Sequence, residues 1–333
     1  MSVWLAVGLA AVSVLLAGPV SSRLAAATWA PGHPRPSLVL WQAVCLAAGL
    51  LMIQAGLVVA VSPLGRCLAD GIWHWMGNLR SGRPWRGMTP AGVVTGVLAL
   101  LAALVLLVTL LRSLAWAQRR RRTHRTVLDL LTGSQPGDRD RLLRDVRVIE
   151  DRRAVAYSVP GWHARVVLSG GLVDLLQPDE LRAVIAHERA HVRFRHDLLV
   201  LPFQAWATTL GRVPGVRRAA EAVTELTEML ADDVAARHSS RRVVAAALVK
   251  VALAGAVPAP AGAGEPVVPG RWGSPAGLDS PPANPAATPG SVVRRVRRLC
   301  RPGPRRWPSA PISLAAAAVL SLPLLVAVVL HWR

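Results

Sequence analysis

The stretch His187-Glu188-Arg189-Ala190-His191 decides how the middle of this chain is read. Its surroundings have the apolar spacing of a helix, and residues four apart on a helix share one face. His187 and His191 can therefore turn both imidazoles toward a single metal ion. Glu188, one residue past the first histidine, is placed to take a proton from a water at that ion. Two histidines and an adjacent carboxylate in this spacing suit zinc-dependent peptide hydrolysis.

A catalytic zinc takes three protein ligands and keeps one position open. The third ligand must come from elsewhere, and acidic residues in this part of the chain are few. Glu228 is the candidate, in the run Glu228-Met229-Leu230-Ala231-Asp232 on a long amphipathic helix expected over Val216–His238. Asp232, one turn further on, is placed to accept the other ring N–H of a ligating histidine, a bond that fixes tautomer and orientation. Glu221 and Glu225 on the same helix read as solvated. His196 and Asp197 fall off the ligand face and read as helix-end or structural groups. His163, just before a strand, is a lesser candidate for the cleft. His74, between Trp73 and Trp75, reads as part of an interfacial aromatic belt.

Composition places this motif in a membrane protein. The chain has 333 residues, 52% of them hydrophobic, and a formal net charge of +20. That charge on a soluble domain would point to nucleic acid, but here the apolar residues are gathered in blocks. Val3–Val20, Leu38–Val61, Ala91–Leu111 and Ile312–Leu330 carry no charged residue, and each is close to the ~20 residues that cross a bilayer. The first block resembles a signal peptide but lacks a basic leading region and a small-residue cleavage site, so it is expected to be retained.

The densest basic cluster, Arg119, Arg120, Arg121, Arg122, His124 and Arg125, follows the third block. A second, from Arg294 to Arg306, precedes the fourth. By the positive-inside rule both lie in the cytoplasm, with everything between them, and the arginines of the Ser62–Pro90 loop are outvoted. Both clusters are read as anchors to anionic lipid headgroups, and no direct nucleic acid partner is expected. Cys45, Cys67 and Cys300 form neither a metal motif nor a disulfide framework.

Between the third and fourth blocks, Thr126–Leu131 and Asp138–Arg144 read as short helices broken at Gly133–Gly137. Strands are expected at Val146–Glu150, Arg153–Val159 and Ala164–Leu168, the last ending at Ser169-Gly170-Gly171. Pro178, Asp179 and Glu180 start the motif helix. Leu198–Leu210 is apolar but too short to span, and reads as either a core helix or a membrane-surface segment. Arg241–Ala254 is a further helix, and the Pro/Ala/Gly-rich Val257–Gly290 a flexible tether. The edge of the third strand is a candidate to receive an extended substrate.

Gly171-Leu172, Pro178-Asp179-Glu180-Leu181, the two-histidine motif and Glu228-x-x-Ala231-Asp232 resemble the gluzincin-type membrane peptidases, over Val146 to about Ala254. These include HtpX-type quality-control proteases and BlaR/MecR-type antirepressor peptidases. Three membrane runs before the domain and one after it are similar to the BlaR/MecR arrangement, although an extracellular penicillin-binding sensor domain is not expected. The resemblance implies a zinc endopeptidase that cleaves a cytoplasmic transcriptional repressor or itself. Housekeeping proteolysis of damaged membrane proteins is the alternative, and a non-enzymatic membrane scaffold the reading from another class.

The fold expected is therefore an α-helical integral membrane protein with four transmembrane helices and a cytoplasmic α+β zincin-like metallopeptidase domain between the third and fourth. Its parts are residues 1–118, three membrane helices with an outer loop; 119–255, the peptidase domain; 256–310, tether and basic juxtamembrane segment; and 311–333, the last membrane helix. The cofactor is Zn2+, held by His187, His191 and Glu228, with Glu188 catalytic and Asp232 behind the ligands. The partners are the lipid bilayer and a protein or peptide substrate.

Overall fold

The computed structural model describes residues 2–131, 146–159, 165–256, 289–301 and 310–329. The chain divides into two compact units.

The first unit is Met1–Ser113 with Pro202–Ala220 and Pro308–Arg333. Helix α1 (Ser2–Leu15) passes through a π-helical turn at Leu16–Val20 into α2 (Ser21–Ala25). Pro19 lies in that turn, where its missing N–H interrupts the regular ladder. Helix α3 (Pro34–Val61) is central, with α1 and α12 (Ala310–Val329) packed on it. Helix α4 (Leu68–Arg80) is a short connector before α5 (Pro90–Leu131). Helices α3 and α5 meet on small residues. A Cβ on Gly56 would lie 2.6 Å from that of Ala99, and one on Gly96 2.9 Å from that of Ala60. Small residues let helices approach closely where no hydrophobic effect drives them together.

Among the described residues, three helices are long and apolar enough to cross a membrane: Val3–Ala25, Pro34–Val61 and Pro90–Ala115. The fourth expected span corresponds to a shorter apolar stretch, Ala310–Leu325. Helix α5 does not end with its apolar run, and Thr126–Leu131 is its last part rather than a separate helix. No proline or glycine stands between Gly96 and Leu131, and the Arg, Leu, Ala and Gln there favour helix. Helix α8 (His196–Leu210) also runs on through Pro202. Its Phe203 is buried edge-on against Trp41 of α3, ring centroids 6.4 Å apart, which makes this a packed helix.

The second unit is Leu114–Leu201 with Glu221–Trp307. Strands β1 (Val146–Ile149), β2 (Ala156–Val159) and β3 (Arg165–Ser169) form a sheet in the order β1-β3-β2. β3 pairs parallel with β1 and antiparallel with β2. The strand expected to offer an edge is thus the central one, bonded on both sides. Among the described strands, β1 and β2 lie at the edges. Burial explains this: Val166, Val167 and Leu168 are all at most 2% exposed, so both faces of β3 are covered.

Beyond β3 the chain turns sharply. The Ser169 hydroxyl receives the amides of Val155 and Leu172, tying β2's approach and the short helix α6 (Gly170–Leu175) to one side chain. Gly171 donates its N–H to the carbonyl of Asp151, and any Cβ there would collide with the carbonyl of Arg152. Helix α7 (Pro178–Arg193) starts with Pro178 at its first turn, and Glu180 accepts the amide of Gln177 at 2.9 Å. Glu180 also takes an ion pair from Lys250, 2.7 Å away on α10 (Arg241–Ala256), which clamps α7 to that helix. Helix α9 (Pro214–His238) begins two residues earlier than expected, at a proline.

The basic segment expected beside the membrane forms helix α11 (Pro289–Cys300). Its Arg294, Arg295 and Arg298 are bonded to carboxylates of α9, so they are not lipid anchors here. Pro289 and Gly290, assigned to the tether, open this helix. The remaining tether residues 257–288, the break at 133–137, the helix expected over 138–144, and His163 lie outside the described residues.

The turn after β3 yields a test. Replacing Gly171 by Ala should lower stability by roughly 2–4 kcal/mol, since the new methyl meets backbone rather than a movable side chain. Thermal unfolding of the detergent-solubilised protein measures this, with Gly170→Ala, whose Cβ would meet its nearest neighbours at 3.8 Å, as the tolerated control.

Candidate metal centre

Helices α7 and α9 bring the chemistry together. His187 and His191 lie one turn apart on α7, with Nε2 atoms 3.1 Å from each other. Glu228 on α9 places one carboxylate oxygen 3.4 Å from His187 Nε2 and the other 3.5 Å from His191 Nε2. A tetrahedral zinc with bonds of about 2.0–2.1 Å holds its donors about 3.3–3.4 Å apart. The three side chains therefore fit zinc by both chemistry and spacing, and they form the candidate metal site among the described residues. Glu188 lines the same cleft beside His187 and Glu228 and accepts no hydrogen bond from the described residues.

Each imidazole is held from behind. Asp232 Oδ1 sits 3.1 Å from His187 Nδ1, so Nε2 is the nitrogen free to face an ion. His196 Nδ1 is 3.0 Å from His191 Nδ1. This contact depends on the end of α7, where Arg195 takes a left-handed φ of 48° and turns the chain back under the helix. With His191 Nε2 facing the ion, its Nδ1–H donates to His196. The His196 proton is then on Nε2, a buried nitrogen with no partner among the described residues. Burial, followed by the neighbouring His191, pushes the His196 pKa down to about 3, which keeps it a neutral acceptor. The sequence marks His196 as a helix-end or structural group; the fold sets it against His191 just past the turn at Arg195.

Arg295 is the residue that sequence reasoning missed. It is 6% exposed, makes paired bonds of 2.8 and 2.7 Å to Asp232, and places Nη1 3.1 Å from Glu228. Flanking it, Arg294 pairs with Glu225 and Arg298 with Asp233. Glu225 is accordingly an ion-pair partner and not a solvated group. The spacing of Val292, Val296 and Leu299 carries a helical signal, which the surrounding arginines and the preceding Pro/Ala/Gly run obscure.

The charges follow from this arrangement. Burial alone would raise the Glu228 carboxyl, but His191 and Arg295 outweigh it and hold it well below the usual carboxylate range. Asp232 is likewise held at about 2, the Arg295 guanidinium overcoming its burial. For His187, burial opposes the charged form, but hydrogen bonds to Asp232 and Glu228 prevail and raise it to about 10. Burial keeps the His191 pKa below its ordinary value. Of the two imidazoles facing Glu228, His187 is therefore the charged one when no metal is bound.

Residues 117–212, which include both histidines and Glu188, match the family model described as peptidase family M48. No curated protein and no solved structure matches the chain. The match and the donor set together define a zinc-dependent metalloendopeptidase. Residues 117–212 are similar to that family, and the same chain carries three helices long and apolar enough to cross a membrane.

Two measurements probe the centre. Zinc must displace the His187 proton, so binding at neutral pH should release about one proton and weaken as the pH falls. Calorimetry in two buffers of different ionisation enthalpy reads the proton directly. Arg295→Met should destabilise the metal-free protein by roughly 3–5 kcal/mol, because it leaves buried carboxylates without their cation. Denaturant unfolding in a chelator checks this.

Proposed function

We propose that this protein is a membrane-anchored endopeptidase whose zinc is held by His187, His191 and Glu228, with Glu188 as general base and the site facing the cytoplasm. The observation that carries the reading is the near-tetrahedral spacing of two imidazole nitrogens and a carboxylate in a cleft that Glu188 also lines. When bound, zinc supplies Lewis-acid polarisation of the scissile carbonyl and acidifies the attacking water. Glu188 takes the proton from that water and passes it to the leaving amine. Asp232 holds His187, and His196 holds His191, in the tautomers that present Nε2. Arg295 keeps Asp232 ionised and in place.

The substrate main chain adds beside β2. Ala154, Val155 and Ala156, which lead into that edge strand, line the cleft with His187 and Glu188, and extended peptides commonly add to sheet edges. The cytoplasmic placement rests on the basic cluster Arg119–Arg125 directly after the third apolar run.

Two roles fit such an enzyme. The resemblance to HtpX-type proteases, with the match to a peptidase family over residues 117–212, favours housekeeping proteolysis of damaged membrane proteins. Three apolar runs before the domain and a shorter one after it favour a BlaR/MecR-like part, in which a cytoplasmic repressor or the chain itself is cut. Expression with and without a candidate repressor, followed by mass spectrometry of the fragments, separates them.

Glu188→Ala should bind zinc and melt like wild type yet lose at least about a thousandfold in the rate of casein cleavage. Equal rates in the two proteins would remove Glu188 from the mechanism.

A further inference from the structure

We propose that the groove between α10 and α11 selects substrates with an aliphatic side chain flanked by a carboxylate. The proposal rests on the peptidase reading and adds a substrate class to it. The groove has a volume of about 1100 Å³ and begins at His187, Glu188 and Glu228. It continues between the last turns of α10 and the first turns of α11, walled by Leu248, Val251, Val292 and Val293. At its lip Val293 is 52% and Leu253 65% exposed. Apolar side chains lining a concavity that opens onto reactive groups are a place for an apolar side chain of the ligand.

The charge of the groove narrows the choice. Four arginines follow Val293 on α11, and three of them are committed to α9: Arg294 to Glu225, Arg295 to Asp232 and Glu228, and Arg298 to Asp233. Arg297 turns the other way. It is exposed, lines the groove, and has no carboxylate within ion-pairing distance among the described residues. The acids in the groove, Glu188, Glu228 and Asp232, belong to the metal centre. A substrate lying along α11 therefore meets aliphatic walls and one available guanidinium. A glutamate or aspartate beside the aliphatic residue completes the pair, and a lysine there is repelled.

The test uses the full chain, zinc-loaded, in nanodiscs of neutral lipid, with Glu188→Gln to prevent turnover. Three fluorescein-labelled unstructured peptides differ only at two adjacent positions: leucine-glutamate, serine-glutamate and leucine-lysine. Fluorescence anisotropy should show the serine peptide binding about tenfold or more weakly than leucine-glutamate. The lysine peptide should bind roughly three- to fivefold more weakly at low salt. In Arg297→Glu the charge preference should reverse while the leucine preference stays.

Equal binding of the three peptides, or a charge preference untouched by Arg297→Glu, overturns the proposal. So does Arg297-dependent binding of anionic phosphatidylglycerol vesicles together with flat peptide affinities, which would make the surface a lipid contact. Wild-type protein with Glu188 restored separates the two readings. Selective binding without cleavage removes the peptidase function and leaves the groove, whereas cleavage without selectivity does the reverse.

Discussion

One carboxylate, that of Asp232, organises this candidate metal centre. It is 1% exposed and grips Arg295 with both oxygens while touching the back of His187. A charge so deeply buried is tolerated only with a closely bonded counter-charge. Asp232 and Glu228 lie one turn apart on α9, and Arg295 bridges them. Without that cation two buried anions would face each other across one helical turn. The orientation of a metal-facing histidine on α7 is thus tied to an arginine 63 residues beyond Asp232, on α11.

The same logic of paired constraints fixes α7 itself. Its first turn is held by Glu180, which takes both the Gln177 amide and the Lys250 ammonium, and its end by the left-handed turn at Arg195. Between these points Ala183, Ile185 and Ala190 are buried, while His187 and Glu188 line the cleft and His191 faces Glu228. The small sheet contributes β3 as a core strand and β2 as an edge. Among the described strands β2 lies at an edge, and its Ala156 also lines the cleft.

Much of this was legible in advance, and the reasons are specific. The pair His187 and His191 needed only helical periodicity, a local property. Glu228 and Asp232 could be picked out because acids are scarce and the i, i+4 interval repeats there. The apolar runs declared themselves by length alone. Where reading failed, the signal was long-range. The central position of β3 depends on β1 and β2 flanking it. Arg295 looked like one more arginine in a basic run, and only the carboxylates of α9 distinguish it from Arg297.

The amino-acid sequence by itself determined the membrane-spanning runs, the zinc-binding motif and the class of chemistry, because each is written in spacing along a single helix or in local composition. Tertiary structure decided which arginine enters the centre, which strand is an edge, and that His196 reaches back to His191. Those outcomes depend on distances between groups far apart in the chain, set by packing and by the need to neutralise buried charge, and no local pattern encodes them.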